Sequence, residues 1–322
     1  MLTHATRTEL AALVGLACRA PSVHNTQPWL WRVDGSDEQP VVELYADTSR
    51  RLPAADPAGR NLLVSCGAAL HHLRVGAAAH GWQPVVDRLP DVRRPDLLAR
   101  VALRRGEVAE TAARDLAAIA GRVTDRRRFT SWPVPDTRLE HLAATGSEEG
   151  ATVVALLDLA RRHRTELLFS RARTRQAEDR LLHAEQRAWV DHGARDGVPG
   201  ALVPVGGGSR FEDAPPVEAG VEAGVESTDG VLMIGTADDA PLDHLRAGEA
   251  LSALWLRATT DRLSVVPLSQ VVEVPETRAA LRHEVLDGGL HPQLVVRIGW
   301  QEIARSTLPR TPRRDLDDVL LG

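Results

Sequence analysis

The sequence predicts an α+β protein of two related halves, each with a mainly antiparallel sheet, packed around a shared helical core. Two observations predict this class. The order helix, loop, strand in the first 46 residues recurs, with interruptions, after residue 136. Two long helices, over about 60–80 and 242–261, also carry the same pattern of small and apolar residues.

In the first half, residues 8–19 have helical periodicity, which ends at Ala20 and Pro21. A polar turn over 22–28 leads into strands at 29–33 and 41–46, and a long helix over about 60–80 is closed by Gly81. We expect this half to span residues 1–120.

The second half, expected over 121–322, repeats this order. The elements predicted there are a helix at 136–144, a strand at 152–157, a helix at 161–191, a strand at 230–236 and a helix at 242–261. Residues 193–224 are rich in glycine, proline and acidic residues. Loops of this length are usually functional lids or disordered segments, so we treat 193–224 as a lid-like loop.

The two long helices align without a gap when Gly67 is placed on Gly248. The aligned pairs are then Ala69 with Ala250, Leu70 with Leu251, Leu73 with Leu254, and Ala77 with Ala258. These are the buried positions of one helix, repeated. The alternative is that any two amphipathic helices rich in alanine and leucine align in this way.

The composition favours a small-molecule partner. A net charge of -5 and a pI near 6.2 provide no general attraction for nucleic acid. All 39 basic residues are arginine, which excludes Schiff-base chemistry and a lysine-containing phosphate loop. Cys18 and Cys66 are too few for a secreted disulfide framework, so we expect a cytoplasmic protein. The apolar run at 10–17 is short for a signal peptide, and we expect no membrane segment.

A basic segment lies ahead of the helix predicted at 136. It contains Arg122, Thr124, Arg126, Arg127 and Arg128, whose side chains could bind a phosphate dianion through charge-assisted hydrogen bonds. The alternative is a solvated run of arginines. Thr311, Pro312, Arg313 and Arg314 form a second small basic cluster with the same ambiguity.

The turn at 20–29 is the more specific signal, because it combines short polar side chains with two prolines. Such a turn offers fixed donors and acceptors to the edge of a flat heterocycle. Alternatively, Ser22 and Asn25 satisfy backbone groups of the turn. His24 is a weak candidate proton donor. The sequence shows neither a paired-histidine metal motif nor a serine nucleophile elbow.

Taken in order, these segments resemble the flavin nitroreductase superfamily, and most closely its Acg-like branch of FMN-binding proteins. The similarity runs over nearly the whole chain. It is carried by residues 19–29, 65–72, 124–127, 245–250, 292–294 and 311–314.

The resemblance implies a site for FMN built by both halves, as two subunits build it in ordinary nitroreductases. Carried over by motif, the turn residues are Pro21, Ser22, Val23 and Asn25, and the phosphate-binding residues are Arg122, Thr124, Arg126, Arg127, Arg313 and Arg314. Leu268 and Ser269, which follow Pro267, resemble the segment that places a backbone N–H near the flavin N5.

One departure bears on stoichiometry. The first half has the turn but no recognisable phosphate-binding segment near its start. The second half has that segment but reads Thr-Gly-Ser-Glu-Glu-Gly at 145–150, where the turn should recur. We therefore predict one FMN per chain, which acts as a monomer with an internal pseudo-dimer or as a homodimer of it.

The activity that the resemblance implies is transfer of hydride from NAD(P)H through FMN to an electron-poor acceptor, such as a nitroaromatic or quinone. An alternative from another class is an FMN-binding or storage protein with little turnover, in which the loop at 193–224 covers the flavin. A third is an interaction module that retains the fold without flavin.

Overall fold

The computed structural model describes residues 2–126, 129–202, 229–300 and 310–322. Its α-helices are α1 (His4–Ala17), α2 (Arg60–Ala79), α3 (Ala112–Gly121), α4 (Asp136–Ser147), α5 (Leu159–Ala177), α6 (Arg180–Ala188), α7 (Pro241–Thr260), α8 (Gln270–Glu273), α9 (Pro275–Ala280) and α10 (Leu316–Val319). Its strands are β1 (Trp29–Gly35), β2 (Pro40–Ala46), β3 (Trp82–Arg88), β4 (Leu97–Arg105), β5 (Thr152–Ala155), β6 (Gly230–Thr236), β7 (Leu263–Leu268), β8 (His291–Trp300) and β9 (Leu320–Leu321).

The strands form two sheets of the same design. One sheet has the order β3-β4-β2-β1-β9 and the other β7-β8-β6-β5. The four strands common to both sheets are all antiparallel, whereas the C-terminal β9 joins β1 in parallel. In each half the second strand along the chain, β2 or β6, is also irregular near its end, at Leu44/Tyr45 and at Ile234/Gly235 respectively. The predicted α+β class with two pseudo-symmetric halves is therefore confirmed.

Helices α2 and α7 cross at the centre of the molecule, and two glycines allow their close approach. A Cβ on Gly67 would lie 2.0 Å from the carbonyl oxygen of Leu245, and a Cβ on Gly248 would lie 1.9 Å from that of Val64. Each glycine thus faces the carbonyl three residues before the other. The alignment of Gly67 with Gly248 is the pseudo-two-fold relation of the fold, rather than a coincidence of two amphipathic helices.

The symmetry continues beyond the helices at a constant offset. Gly81 and Arg262 follow α2 and α7 with positive φ values of 74° and 61°, and each precedes a strand by one residue. Glycine adopts this conformation at low cost, whereas arginine does so under strain. Adding 181 to a residue number in α2 or β3 therefore gives its counterpart in α7 or β7.

Helix α2 is long and apolar enough to cross a membrane by length and composition alone. In the fold, 78% of its apolar stretch is buried inside the protein. The apolar residues of α2 therefore serve the core at the helix crossing, as expected of the core helix of a globular protein.

Several element predictions need correction. The single helix predicted at 161–191 is two helices, because Asp179 caps a new start by accepting hydrogen bonds from the N–H groups of Leu181 and Leu182 at 2.9 and 3.1 Å. The strand predicted at 152–157 ends at Ala155. No prediction was made for α3, β3 and β4 in the first half, or for the elements that follow α7 in the second half. Of the lid-like loop at 193–224, residues 203–224 lie outside the described part of the chain.

Candidate functional site

A cleft lies where the two halves meet, with about 760 Å³ of space that protein atoms do not fill. The first half lines it with the turn at 21–24 and with the start of α2. The second half supplies residues before α4, on α7 and around the end of β7. The complete lining is Pro21, Ser22, Val23, His24, Asn61, Val64, Ser65, Thr124, Arg126, Leu251, Trp255, Pro267, Leu268, Ser269, Gln270 and Leu294.

The turn that lines the cleft is held in an unusual backbone conformation. His24, Asn25 and Gln27 all have positive φ, at 46°, 55° and 50°. The Ser22 Oγ accepts a hydrogen bond from the N–H of Gln27 at 2.9 Å, so the alternative role of this side chain, satisfying the turn backbone, is observed. Non-glycine residues in this region cost about 1–3 kcal/mol each and persist where the surroundings fix them.

Helix α2 fixes the turn from below. The N–H of Val23 donates to the Ser65 Oγ at 3.1 Å, and the Ser65 hydroxyl donates to the carbonyl of Asn61 at 2.7 Å. Ser65 and Asn61 both line the cleft as well. The backbone of the turn is therefore positioned relative to the cleft by hydrogen bonds to a core helix, which preorganises its polar groups.

Asn25 lies beside the cleft and not in its lining. Its side-chain amide donates to the carbonyls of Gly197 at 3.0 Å and Pro312 at 3.1 Å, and its oxygen accepts from the Arg313 guanidinium at 3.0 Å. Asn25 therefore ties the turn to the C-terminal segment and to the start of the loop at 193–202. Its direct contact with a cofactor stays a prediction.

A second cavity adjoins the cleft, and the two share Thr124. It holds about 1220 Å³ of unfilled space. Thr124 forms a β-bridge with Val265, which fixes it against β7. The basic residues of this second cavity are Arg19, Arg122, Arg310, Arg313 and Arg314.

Arg122 is the most deeply buried of these arginines. Its Nη2 donates to the carbonyl of Arg19 at 2.8 Å, and its guanidinium carbon lies 4.6 Å from the ring centre of Trp255. Trp255 in turn lines the cleft, so Arg122 packs close behind one wall of it. Burial, together with Arg313 and Arg19, holds the pKa of Arg122 well below its usual range.

Arg313 shares this electrostatic environment. Burial lowers its pKa to about 10, and the Nε atoms of both Arg122 and Arg313 are buried without a hydrogen-bond partner. Within the described ranges, none of Arg19, Arg122 and Arg313 forms an ion pair with a carboxylate. The nearby Asp315 is paired with Arg195 instead. Within the described part of the chain, these three arginines therefore carry positive charge without a carboxylate partner, which favours an anion.

Arg314 has a different role from Arg313. Its guanidinium contacts Asp47 at 3.2 Å and donates to the carbonyl of Asp318 at 2.7 Å, while its N–H donates to the Gln27 Oε1 at 2.8 Å. These contacts attach the C-terminal segment to the turn. Of the other predicted residues, Arg126, Leu268 and Ser269 line the cleft, whereas Arg127 lies outside the described residues.

No protein-family model matches the chain. Among curated proteins of Mycobacterium tuberculosis, "Putative NAD(P)H nitroreductase Rv3131" is 35% identical over 320 residues, which covers 95% of this chain and 89% of that protein. "Putative NAD(P)H nitroreductase acg" of the same species is 32% identical over 327 residues, covering 98% and 96%. The chain belongs to this Acg-like nitroreductase family. The resemblance inferred from the sequence is thereby confirmed.

Solved nitroreductases resemble the Acg-like chain more distantly. NfnB from Mycobacterium smegmatis, solved in complex with NADPH, matches with a TM-score of 0.41 and 17% identity over 65% of this chain and 97% of its own. A nitroreductase with bound FMN from Bacteroides fragilis matches with a TM-score of 0.41 and 14% identity, over 62% and 94%. The family assignment rests on the full-length relatives alone.

Sequence reasoning missed part of the site of this Acg-like protein. Asn61, Ser65 and Trp255 line the cleft, but on the helices they read as core positions. Arg19 and Arg310 were not counted among the basic residues of the site. A possible signal for Ser65 and Asn61 was their spacing of four, which places two polar side chains on one face of an otherwise apolar helix.

The pseudo-symmetric counterpart of the cleft contains ion pairs. At the offset of 181, Trp255 corresponds to Arg74 and Ser269 to Arg88. Arg74 pairs with Glu149 and, at 2.9 Å, with Glu249, while Arg88 contacts Glu249 at 2.7 and 2.8 Å. Glu249 is fully buried. In the counterpart, charged side chains thus occupy the positions that Trp255 and the end of β7 occupy in the cleft.

Proposed function

We propose that the chain binds one FMN across the cleft and the arginine cavity, and that it is an FMN-dependent NAD(P)H oxidoreductase. One observation carries the proposal: a cleft with an indole wall adjoins a cavity in which Arg19, Arg122 and Arg313 have no carboxylate partner among the described residues. A flat ring system joined to a phosphate matches both parts. The family names of the full-length relatives support the same conclusion.

The phosphate is proposed to lie among Arg19, Arg122 and Arg313. Burial lowers the pKa of all three guanidiniums, and nearby arginines lower it further: Arg313 and Arg19 act on Arg122, Arg19 acts on Arg313, and Arg310 acts on Arg19. A phosphate dianion would offset that repulsion and accept from the Nε–H groups that have no partner. Thr124 is placed to contribute a hydroxyl at the junction with the cleft.

When bound, FMN supplies hydride transfer from NAD(P)H and electron transfer to an electron-poor acceptor, for which we propose a nitroaromatic or quinone. The chain's own residues bind and orient. The turn at 21–24 from the first half of the chain and the segment Leu268–Ser269 from the second half both line the cleft, and Trp255 forms a wall. Arg126 lines the same cleft and brings positive charge to it.

A second candidate is FMN storage with little turnover, and one set of contacts favours it. Gln27 donates to the carbonyl of Arg195 at 2.9 Å, and Arg50 pairs with Asp196. The loop at 193–202 is therefore fixed to the same turn that lines the cleft. A segment anchored in this way is suited to restricting access to a bound cofactor.

An absorbance spectrum of the purified protein, followed by anaerobic addition of NADH and of NADPH, tests these candidates. We expect a yellow protein that bleaches within seconds. Yellow protein that stays oxidised with both donors would favour storage. Colourless protein that cannot be reconstituted with FMN would contradict both.

We further propose that one chain is sufficient to form one FMN site. The protein would be a monomer or a homodimer of such chains. The two halves of the chain would meet near residue 120. Both cysteines are free and buried, which is consistent with the expected cytoplasmic location.

A further inference from the structure

A groove separate from the FMN site lies between the first-half loop at 54–57 and helices α5, α6 and α9. It holds about 1390 Å³ of unfilled space and is open to solvent. Its apolar lining is Ala54, Ala55, Pro57, Leu181, Leu182, Val274 and Pro275, and its polar lining is Arg175, Gln176, Glu178, Asp179, Arg180, Glu273 and Glu276. We call it the α6 groove.

The α6 groove adjoins the cleft across the single turn of α8. Gln270 at the start of α8 lines the cleft, and Glu273 at its end lines the groove. Three residues of helix span about 4.5 Å. Asn61, which lines the cleft, also donates to the Glu273 Oε1 at 3.3 Å. A ligand long enough to extend past α8 could therefore occupy both cavities.

Gln176 lines this groove and has a buried acceptor on its side chain. Its side-chain nitrogen donates to the Glu273 Oε2 at 2.9 Å. Because a carboxylate only accepts, this bond fixes which end of the amide is the oxygen. The Oε1 is left without a hydrogen-bond partner, on a side chain that is 9% exposed. Such a buried acceptor is satisfied by an N–H or O–H donor.

The charges around the groove are mixed, with an acidic excess. Four carboxylates and two guanidiniums line it. Glu178 pairs with Arg175 at 3.5 Å on the surface, whereas Glu276 is exposed. Asp179 accepts from two backbone N–H groups as the cap of α6. Carboxylates accept hydrogen bonds from ribose hydroxyls, and they repel a phosphate on the same ribose.

We propose that the α6 groove binds the adenosine end of the nicotinamide dinucleotide and selects NADH over NADPH. The inference rests on the proposed function and names its electron donor. The adenine amine would donate to the Gln176 Oε1, with the ring between the apolar walls, and the ribose hydroxyls would face Glu178 and Glu276. The 2'-phosphate of NADPH would lie against the same carboxylates.

The test is stopped-flow anaerobic reduction of the FMN-loaded protein by NADH, by NADPH and by reduced nicotinamide mononucleotide, which lacks the adenosine end. We expect NADH to reduce the FMN at least about tenfold more efficiently than NADPH does. The reason is that the two negative charges of the 2'-phosphate of NADPH are repelled by at least one carboxylate of the groove, in water. Glu276→Arg should raise efficiency with NADPH by roughly tenfold. Gln176→Leu should lower the efficiency of reduction by NADH and leave the efficiency of reduction by the mononucleotide unchanged.

Glu140→Arg on the exposed face of α4 makes the same change of net charge away from both cavities, and it should leave the ratio unaltered. Equal efficiency of NADH and the mononucleotide would overturn the inference, and so would a preference for NADPH. Protein that binds FMN but is bleached by no donor would instead contradict the proposed reductase activity.

Discussion

Arg122 is buried beside other arginines. We therefore expect its charge to contribute differently to the stability of the folded protein and to the binding of FMN. Its guanidinium donates a hydrogen bond to the Arg19 carbonyl, and it stacks on Trp255. Burial and two neighbouring arginines already oppose its charge. Removing the charge should therefore cost the cofactor-free protein little and the FMN complex much.

We expect Arg122→Ala to weaken FMN binding roughly ten- to hundredfold, because a hydrogen bond to a charged group contributes about 1.5–3 kcal/mol. Flavin fluorescence titration of the cofactor-free protein measures this change. Arg138→Ala is the matched control, since Arg138 also lies over an indole, 5.6 Å from the ring centre of Trp300, but on the surface. Equal affinities of the two variants would show that Arg122 does not bind the phosphate.

The side chains matched by motif divide into two groups in the structure. Pro21, Ser22 and Val23 line the cleft, and so does Arg126, which the motif assigns to the phosphate. Asn25 and Arg314 instead join chain segments, through Pro312 and Asp47 respectively. A motif fixes which backbone segment is near the site, but the direction of each side chain depends on partners hundreds of residues away. Those partners are not readable from local sequence.

At the level of elements, the crossing of α2 and α7 contains a buried hydrogen-bonded histidine pair. His72 Nδ1 lies 3.1 Å from the Ala68 carbonyl, which only accepts, so this nitrogen carries the proton. The hydroxyl of Ser252 lies 2.8 Å from the Nδ1 atoms of both His71 and His72. It therefore accepts from His72 and donates to His71, and burial lowers the pKa of both imidazoles.

The histidine pair should make stability depend on pH. Burial lowers the pKa of His71 from 6.5 to about 4, with Glu149 opposing and Arg74 reinforcing that shift. Below pH 6.5 the unfolded chain binds a proton that the folded chain refuses, so the free energy of unfolding falls as the pH drops from about 6.5 to about 4. This one group contributes on the order of 3 kcal/mol over that window.

Urea unfolding at several pH values checks this, with His71→Gln as the non-titrating variant. We expect the variant to lose part of the pH dependence between 6.5 and 4. His141→Gln, at an exposed position on α4, should keep the dependence of the original protein. Parallel pH profiles for the original protein and the His71 variant would mean that His71 titrates equally in both states.

Helical periodicity predicted α2, α4 and α7 well, because their apolar faces are long and each has a Gly or Pro marking at least one end. The break between α5 and α6 was missed, since it depends on one aspartate cap inside an otherwise continuous helical pattern. The strands of the hairpin at 82–105 alternate in burial over part of their length, yet they carry many arginines that weaken the signal.

At the level of the whole molecule, the two halves keep their symmetry in the backbone and lose it in the side chains. Gly67 and Gly248 still face each other at the centre. Around them, one cleft has Trp255 as a wall, and its counterpart has Arg74 paired with Glu149 and Glu249. The departure at 145–150 indicated this loss from sequence. The ion pairs that replaced the site could not be predicted, because Arg74, Arg88 and Glu249 come together only across the helix crossing.

This asymmetry predicts one FMN per chain. A second FMN would have to displace the Arg74–Glu249 and Arg88–Glu249 pairs, and removing one partner of a buried pair costs about 3–5 kcal/mol. Flavin released by denaturation, measured against protein concentration, should give a ratio near one after saturation with FMN. Arg122→Ala distinguishes the alternatives further. At an FMN concentration just sufficient to saturate the original protein, a single weakened site should lower the ratio well below one, whereas a chain with two independent sites would keep a ratio near one.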